Sequence, residues 1–161
     1  MTGSSSAPAF STDLALPDEG ATVALAARLA PLLGPGDTLL LSGPIGAGKT
    51  AFARALIREA AGNPHEEVPS PTFTLVQTYV TAQGEIWHAD LYRLGSADEA
   101  PELGLDDAMQ GAICLIEWPE RLGALAPADA LSLAFTAGEE GHAVTITGGA
   151  AWRERLEAGL V

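Results

Sequence analysis

The sequence predicts an α/β fold, with helices packed on a mixed, mainly parallel central sheet, and three observations carry that expectation. The first is a short apolar run, Thr38-Leu39-Leu40-Leu41, leading into Gly43-Pro44-Ile45-Gly46-Ala47-Gly48-Lys49-Thr50 and then a helix-forming stretch, Ala51 to Ala61, stopped by Gly62 and Pro64. Strand, glycine loop and helix N-terminus in that order make the anion-binding arrangement in which backbone N–H groups cradle phosphate. The second is Ala112-Ile113-Cys114-Leu115-Ile116, the strongest continuous apolar run, which reads as a central strand buried on both faces. The third is two couples of strand-like runs: 72–80 with 85–91 through Thr81-Ala82-Gln83-Gly84, and 131–135 with 143–147 through Gly138-Glu139-Glu140-Gly141. Hairpins place antiparallel strands on an otherwise parallel sheet. The expected architecture is a three-layer sandwich of the P-loop NTPase type, one domain over 10–161 behind a short disordered tail at 1–9.

Taken in order, 10–16 alternates as a strand and Pro17 closes it. Asp18 or Glu19 caps a helix running to about Leu33, with Val23, Leu25, Ala26, Leu29, Leu32 and Leu33 on a broad apolar side. Gly34-Pro35-Gly36 turns the chain into the strand at 37–42. After the glycine loop and its helix, prolines at 64, 69 and 71 keep 63–71 irregular. The first hairpin follows. Ser96-Ala97-Asp98-Glu99 has the form of a capping box opening a short helix, which Pro101 interrupts and Gly104 ends. The apolar strand at 112–116 runs into Glu117-Trp118-Pro119. The second hairpin reads as the sheet edge, and 150–160 as a final amphipathic helix.

Composition narrows the class of function. The chain has 161 residues, 47% hydrophobic and 18% charged, and a formal net charge of −13. Nucleic-acid readers neutralise phosphates with basic patches, and eight cations spread along an acidic chain do not make one. No extensive direct nucleic-acid footprint is expected; the acidic surface suits docking on protein partners. The single Cys114 sits within an apolar run and reads as a core thiol. No Cys/His cluster points to zinc, no run approaches a membrane span, and 1–9 lacks the basic and apolar parts of a signal, so a cytoplasmic location is expected.

In the glycine loop, Lys49 is the only lysine of the chain. Where every other cation is arginine, a compact ammonium is kept among phosphates. Its role there is to reach the β/γ-phosphates while the Thr50 hydroxyl binds Mg²⁺. Such a loop needs an acid at the end of a neighbouring strand, and Glu117 and Asp90 both qualify. Ser70-Pro71-Thr72-Phe73-Thr74 places hydroxyls around a stiff proline in the manner of a switch segment, with Ser70, Thr72 and Thr74 as candidates; Trp118 beside Glu117 is a further one. Arg93 either touches phosphate or pairs at the surface with Asp98 or Glu99. His88 reads as a partly buried, satisfied histidine rather than a base. A Ras-type guanine reader needs an Asn-Lys-x-Asp element, which a chain with one committed lysine cannot supply, so ATP is favoured. A small-molecule kinase needs a substrate pocket and an Arg-bearing lid; 62–72 is too short for the first and no arginine cluster stands out. A nucleotide-dependent binding module with incidental hydrolysis remains the other alternative.

The segments Ser-Pro-Thr-Phe-Thr-Leu-Val (70–76), His-Ala-Asp-Leu-Tyr-Arg-Leu (88–94), Glu-Leu-Gly-Leu-Asp-Asp (102–107) and Leu-Ile-Glu-Trp-Pro-Glu (115–120), laid out behind the glycine loop, closely resemble the TsaE family. These are P-loop ATPases of bacterial tRNA threonylcarbamoyladenosine biosynthesis, formerly called YjeE. The resemblance runs from about Leu16 to Leu122. It implies an ATPase acting with the TsaD and TsaB proteins, which regulates or resets transfer of threonylcarbamoyl to the adenosine beside the anticodon without being the transferase. It further implies nucleotide contacts from Glu19, Gly43, Gly46, Ala47, Gly48, Lys49, Thr50 and Ala51, Mg²⁺ ligation by Thr50 and Glu117, and a role for Asp90 in hydrolysis. The family often has an arginine in the last hairpin; here Glu140-Gly141-His142 offers His142 instead. With no arginine finger evident, hydrolysis is expected to be slow without partners.

Overall fold

A computed structural model describes residues 10–71, 74–139 and 141–159 of the chain. The expected tail at 1–9 lies outside the described residues.

The sheet is built outward from β2 (Thr38–Ser42), the strand ahead of the glycine loop. It pairs in parallel with β5 (Ile113–Glu117) on one side and with β6 (Leu131–Gly138) on the other. All five residues of β5 are buried, Ile113 to Ile116 as their unbroken apolar run requires and Glu117 with them. Beyond β5 lies β4 (Gly84–Asp90), also parallel, and then β3 (Val76–Thr81), antiparallel to it. Beyond β6 lie β7 (Gly141–Gly148) and β1 (Phe10–Leu16), each antiparallel to its neighbour. The order is β1-β7-β6-β2-β5-β4-β3. Four central strands run the same way and hairpin partners flank them, so the expected mixed sheet with a parallel centre is what forms.

Helix α1 (Glu19–Leu29) begins where the Asp18 side chain accepts the Ala21 N–H at 2.9 Å, and it tightens into a 3₁₀ turn over Ala30–Leu32. Helix α2 (Lys49–Ala61) ends on Gly62 in the left-handed conformation, φ 68°. With α4 (Ala150–Gly159), these helices bury Leu25, Leu29, Phe52, Leu56, Trp152 and Leu156 against the sheet face that presents Leu39, Leu41, Leu115, Leu133 and Ile146. The opposite face, carrying Ala89, Cys114 and Ile116, is covered by α3 (Leu105–Gly111) and by short 3₁₀ turns, with Leu105 and Leu122 as plugs. Three layers result, one of them thin.

Three expectations need correction, and one helix was not anticipated. The C-terminal hairpin is not the sheet edge, because β1 pairs along the whole of β7, from Phe10 opposite Gly148 to Leu16 opposite His142. Among the described residues the strand expected from 72 starts at Val76: Leu75 takes a left-handed backbone, φ 69°, outside the extended region, and donates its N–H to the Pro71 carbonyl at 2.7 Å. Thr72 and Phe73 lie outside the described residues. The Ser96 start does close its capping box, Ser96 N–H meeting Glu99 Oε2 at 2.9 Å, but it opens 3₁₀ turns at Ala97–Glu99 and Pro101–Leu103 rather than one helix. The chain then forms α3 beyond Gly104, at only seven residues too short for its period to show in the sequence.

Candidate functional site

The site lies beyond the carboxyl ends of β2, β5 and β4. The loop leaves β2 through Gly43, whose φ of 132° no side chain favours and where a Cβ would collide with the Phe135 carbonyl of β6. It enters α2 through Gly48, φ 110°, so the unpaired N–H groups of the first helical turn face the cleft. Lys49 is only 5% exposed. Its ammonium donates to the Gly43 carbonyl and lies 3.6 Å from the centre of the Trp118 ring. Burial lowers its pKa below the usual lysine value, while Glu117, Glu120 and Asp90 pull the other way.

Parallel pairing sets Asp90 of β4 directly opposite Glu117 of β5, and Glu117 opposite Leu41 of β2. Thr50, at the start of α2, donates its hydroxyl to Glu117 Oε1 at 2.8 Å. The other carboxylate oxygen, Oε2, lies 2.7 Å from His88 Nε2. Asp90 Oδ1 accepts the Tyr92 N–H at 3.0 Å. Glu117, Asp90 and His88 are all buried, in a sheet where that position is otherwise apolar. A buried carboxylate is costly unless paired or facing a cation.

Lys49, Thr50, Asp90 and Glu117 line a cleft of about 520 Å³, with Gly46, Gly48, Ala51, Ser70, Tyr92, Trp118 and His142, a size suited to a small ligand; His88 lies behind it, out of contact with the opening. Trp118 holds a left-handed backbone, φ 60° and ψ 52°, and its ring packs on Tyr92 with centroids 4.9 Å apart. His142 also lines a neighbouring groove with Leu16, Pro17, Asp18, Glu19 and Arg54. The sequence candidates therefore divide: Lys49, Thr50, Asp90, Glu117, Ser70, Trp118 and His142 share the cleft, while Glu19 lines the adjoining groove. Ala47 is fully buried beneath the loop and Gly43 faces the cleft only through its carbonyl. Thr74 accepts the Gln77 side-chain amide at 3.0 Å and, like Arg93, does not line the cleft. Tyr92 was missed, and His88, expected to be partly buried and satisfied, is fully buried and bonded to Glu117.

Among the described residues no group of three or more His, Cys, Asp or Glu is placed to hold a metal ion. A hydroxyl and a carboxylate in contact are instead the hard oxygen donors that Mg²⁺ uses when ligand phosphates complete its shell. The residues present fit that ion.

Strand, glycine loop and helix so arranged define a phosphate-loop, nucleotide-binding protein of the α/β class. The family model described as "Threonylcarbamoyl adenosine biosynthesis protein TsaE" matches residues 16–144, and the chain belongs to that family. It is 48% identical to the tRNA threonylcarbamoyladenosine biosynthesis protein TsaE of Rickettsia felis over 107 residues, covering 66% of this chain and 62% of that one. To the protein of the same name from Bacillus subtilis it is 36% identical over 128 residues, 78% of each. The chain thus spans less than two thirds of the length of the Rickettsia relative. The crystal structure of Bacillus subtilis YdiB has a similar fold, with a TM-score of 0.68 at 27% identity over 92% of both chains. Among the described residues no helix is long and apolar enough to cross a membrane.

Proposed function

We propose that the chain binds ATP in this cleft and slowly hydrolyses it to ADP and phosphate, as a component of tRNA threonylcarbamoyladenosine biosynthesis acting with TsaD and TsaB. The observation that carries the reading is the convergence of Lys49, Thr50 and Glu117 at the N-terminus of α2. Backbone N–H groups of Gly46 to Thr50 and the helix N-terminus hold the phosphates. The Lys49 ammonium exchanges the Gly43 carbonyl for phosphate oxygens. Thr50 and Glu117 hold Mg²⁺, which when bound neutralises charge on the phosphates. Asp90, opposite Glu117, orients the attacking water, whose oxygen bonds to the γ-phosphorus as the bond to the β-phosphate oxygen breaks. His142 and Glu19 bound the side away from the reacting phosphate. No arginine is among the described residues lining the cleft, so the transition-state charge lacks the finger that accelerates other phosphate-loop enzymes. TsaD–TsaB either completes the site or orders the segment around Ser70.

The test follows ATP binding, ADP release and complex formation together, with and without the TsaD–TsaB pair. Lys49→Ala is expected to weaken ATP binding about 10- to 100-fold, the worth of hydrogen bonds to a charged group. Asp90→Ala is expected to bind ATP and assemble but to stall after one round of tRNA modification. Unchanged ATP affinity in Lys49→Ala overturns the site; unchanged nucleotide binding and turnover with the pair overturns the partner role.

A further inference from the structure

The imidazole of His88 is 0% exposed, on the face of β4 that carries Ile86 and opposite Leu115 of β5, a setting that otherwise takes aliphatic side chains. Its Nε2 lies 2.7 Å from Glu117 Oε2. A carboxylate only accepts, so Nε2 carries the hydrogen. Its Nδ1 then has no hydrogen-bond partner among the described residues. The histidine leaves its own Nδ1 unsatisfied, whereas an aliphatic side chain here would leave the buried Glu117 Oε2 without its donor. What the histidine supplies is the other half of a divided carboxylate: Oε2 is tied to β4 while Oε1 is left to face the Thr50 hydroxyl at 2.8 Å. Without that tie, the Glu117 side chain is free to turn both oxygens toward Thr50 and Lys49, or away from them.

We propose that His88 is a positioning residue that fixes the Glu117 carboxylate so that one oxygen is presented beside Thr50, and thereby sets the Mg²⁺ affinity of the nucleotide complex. The proposal rests on the assignment of Thr50 and Glu117 to Mg²⁺ above. Groups that orient metal-ligating side chains typically contribute about 10- to 100-fold to metal affinity when removed.

The experiment measures ATP affinity by calorimetry in EDTA and across a Mg²⁺ titration, alongside thermal unfolding. His88→Leu is expected to fold with a lowered unfolding temperature, because the Glu117 oxygen it bonded is left unpaired, to bind ATP in EDTA as the unaltered chain does, and to need about 10-fold or more Mg²⁺ for the same tightening. Should His88→Leu fail to fold, His88→Met serves as the donor-free variant. His88→Gln, which keeps a side-chain N–H within reach of Glu117, is expected to regain most of the Mg²⁺ response. An unchanged Mg²⁺ requirement in the donor-free variant overturns the assignment, as does an equal loss with and without Mg²⁺, which marks a merely structural role. Glu117→Gln is the control. If it raises the Mg²⁺ requirement while His88→Leu does not, only the His88 assignment falls. If Glu117→Gln also leaves the requirement unchanged, the metal reading falls and takes the His88 assignment with it.

Discussion

On one side of β2 the sheet continues through β6 and β7, whose inward side chains Leu131, Leu133, Phe135, Val144 and Ile146 are all apolar and essentially inaccessible, and then through β1 at the edge. On the other side, β5 and β4 bury Glu117, His88 and Asp90 among Ile86, Ile113 and Leu115. The two flanks share one sheet and one covering layer of helices, yet only the second places polar groups where desolvation is costly. One flank holds the fold together. The other spends part of that stability on a cleft with charge in it, and the loop between β2 and α2 touches both.

The comparison breaks if a cut in the apolar flank disturbs the cleft. Ile146→Ala in β7 is expected to cost about 2–5 kcal/mol in denaturant unfolding, through lost burial and the cavity left behind. The folded fraction should bind nucleotide as before. A smaller but broader effect is expected at the junction. Gly43 has φ 132° and no room for a Cβ against the Phe135 carbonyl, so Gly43→Ala should cost about 1–3 kcal/mol of backbone strain. Unlike Ile146→Ala, it should weaken nucleotide binding as well, because the carbonyl that receives Lys49 belongs to the displaced residue.

The smallest effect is a matter of pH and sharpens the difference within β5 itself. Cys114 faces the thin layer, and burial pushes its thiol from 9.0 up to about 12. The unfolded chain gives up the thiol proton near pH 9 while the folded chain keeps it, so this group's contribution to stability is lost as pH climbs from about 9 toward 12. Thermal unfolding of Cys114→Ala, followed over that range, should decline less steeply with pH than that of the unaltered chain.

The central strands were legible because burial on both faces writes itself as an unbroken apolar run, as in Ile113 to Ile116. The glycine loop was legible because it is a local arrangement, and Glu117 because a carboxylate ending such a run calls for a partner. What escaped depends on pairing between distant segments. That His88 meets Glu117 follows from the parallel register setting Asp90 opposite Glu117, which no stretch of β4 alone discloses. The place of β1 outside β7 is likewise a long-range choice, and alternation in 10–16 says only that one face is covered. The left-handed residues Leu75 and Trp118 carry no glycine to announce them.

The lone lysine has a practical corollary. A protease that cleaves only after lysine finds a single bond in all 161 residues, and that bond lies in the first turn of α2 with its side chain 5% exposed. Cleavage there requires the loop and the helix start to come open, so the rate of nicking counts how often they do. A ligand that closes around Lys49 shields the one scissile site, and two fragments on a gel become a meter of occupancy.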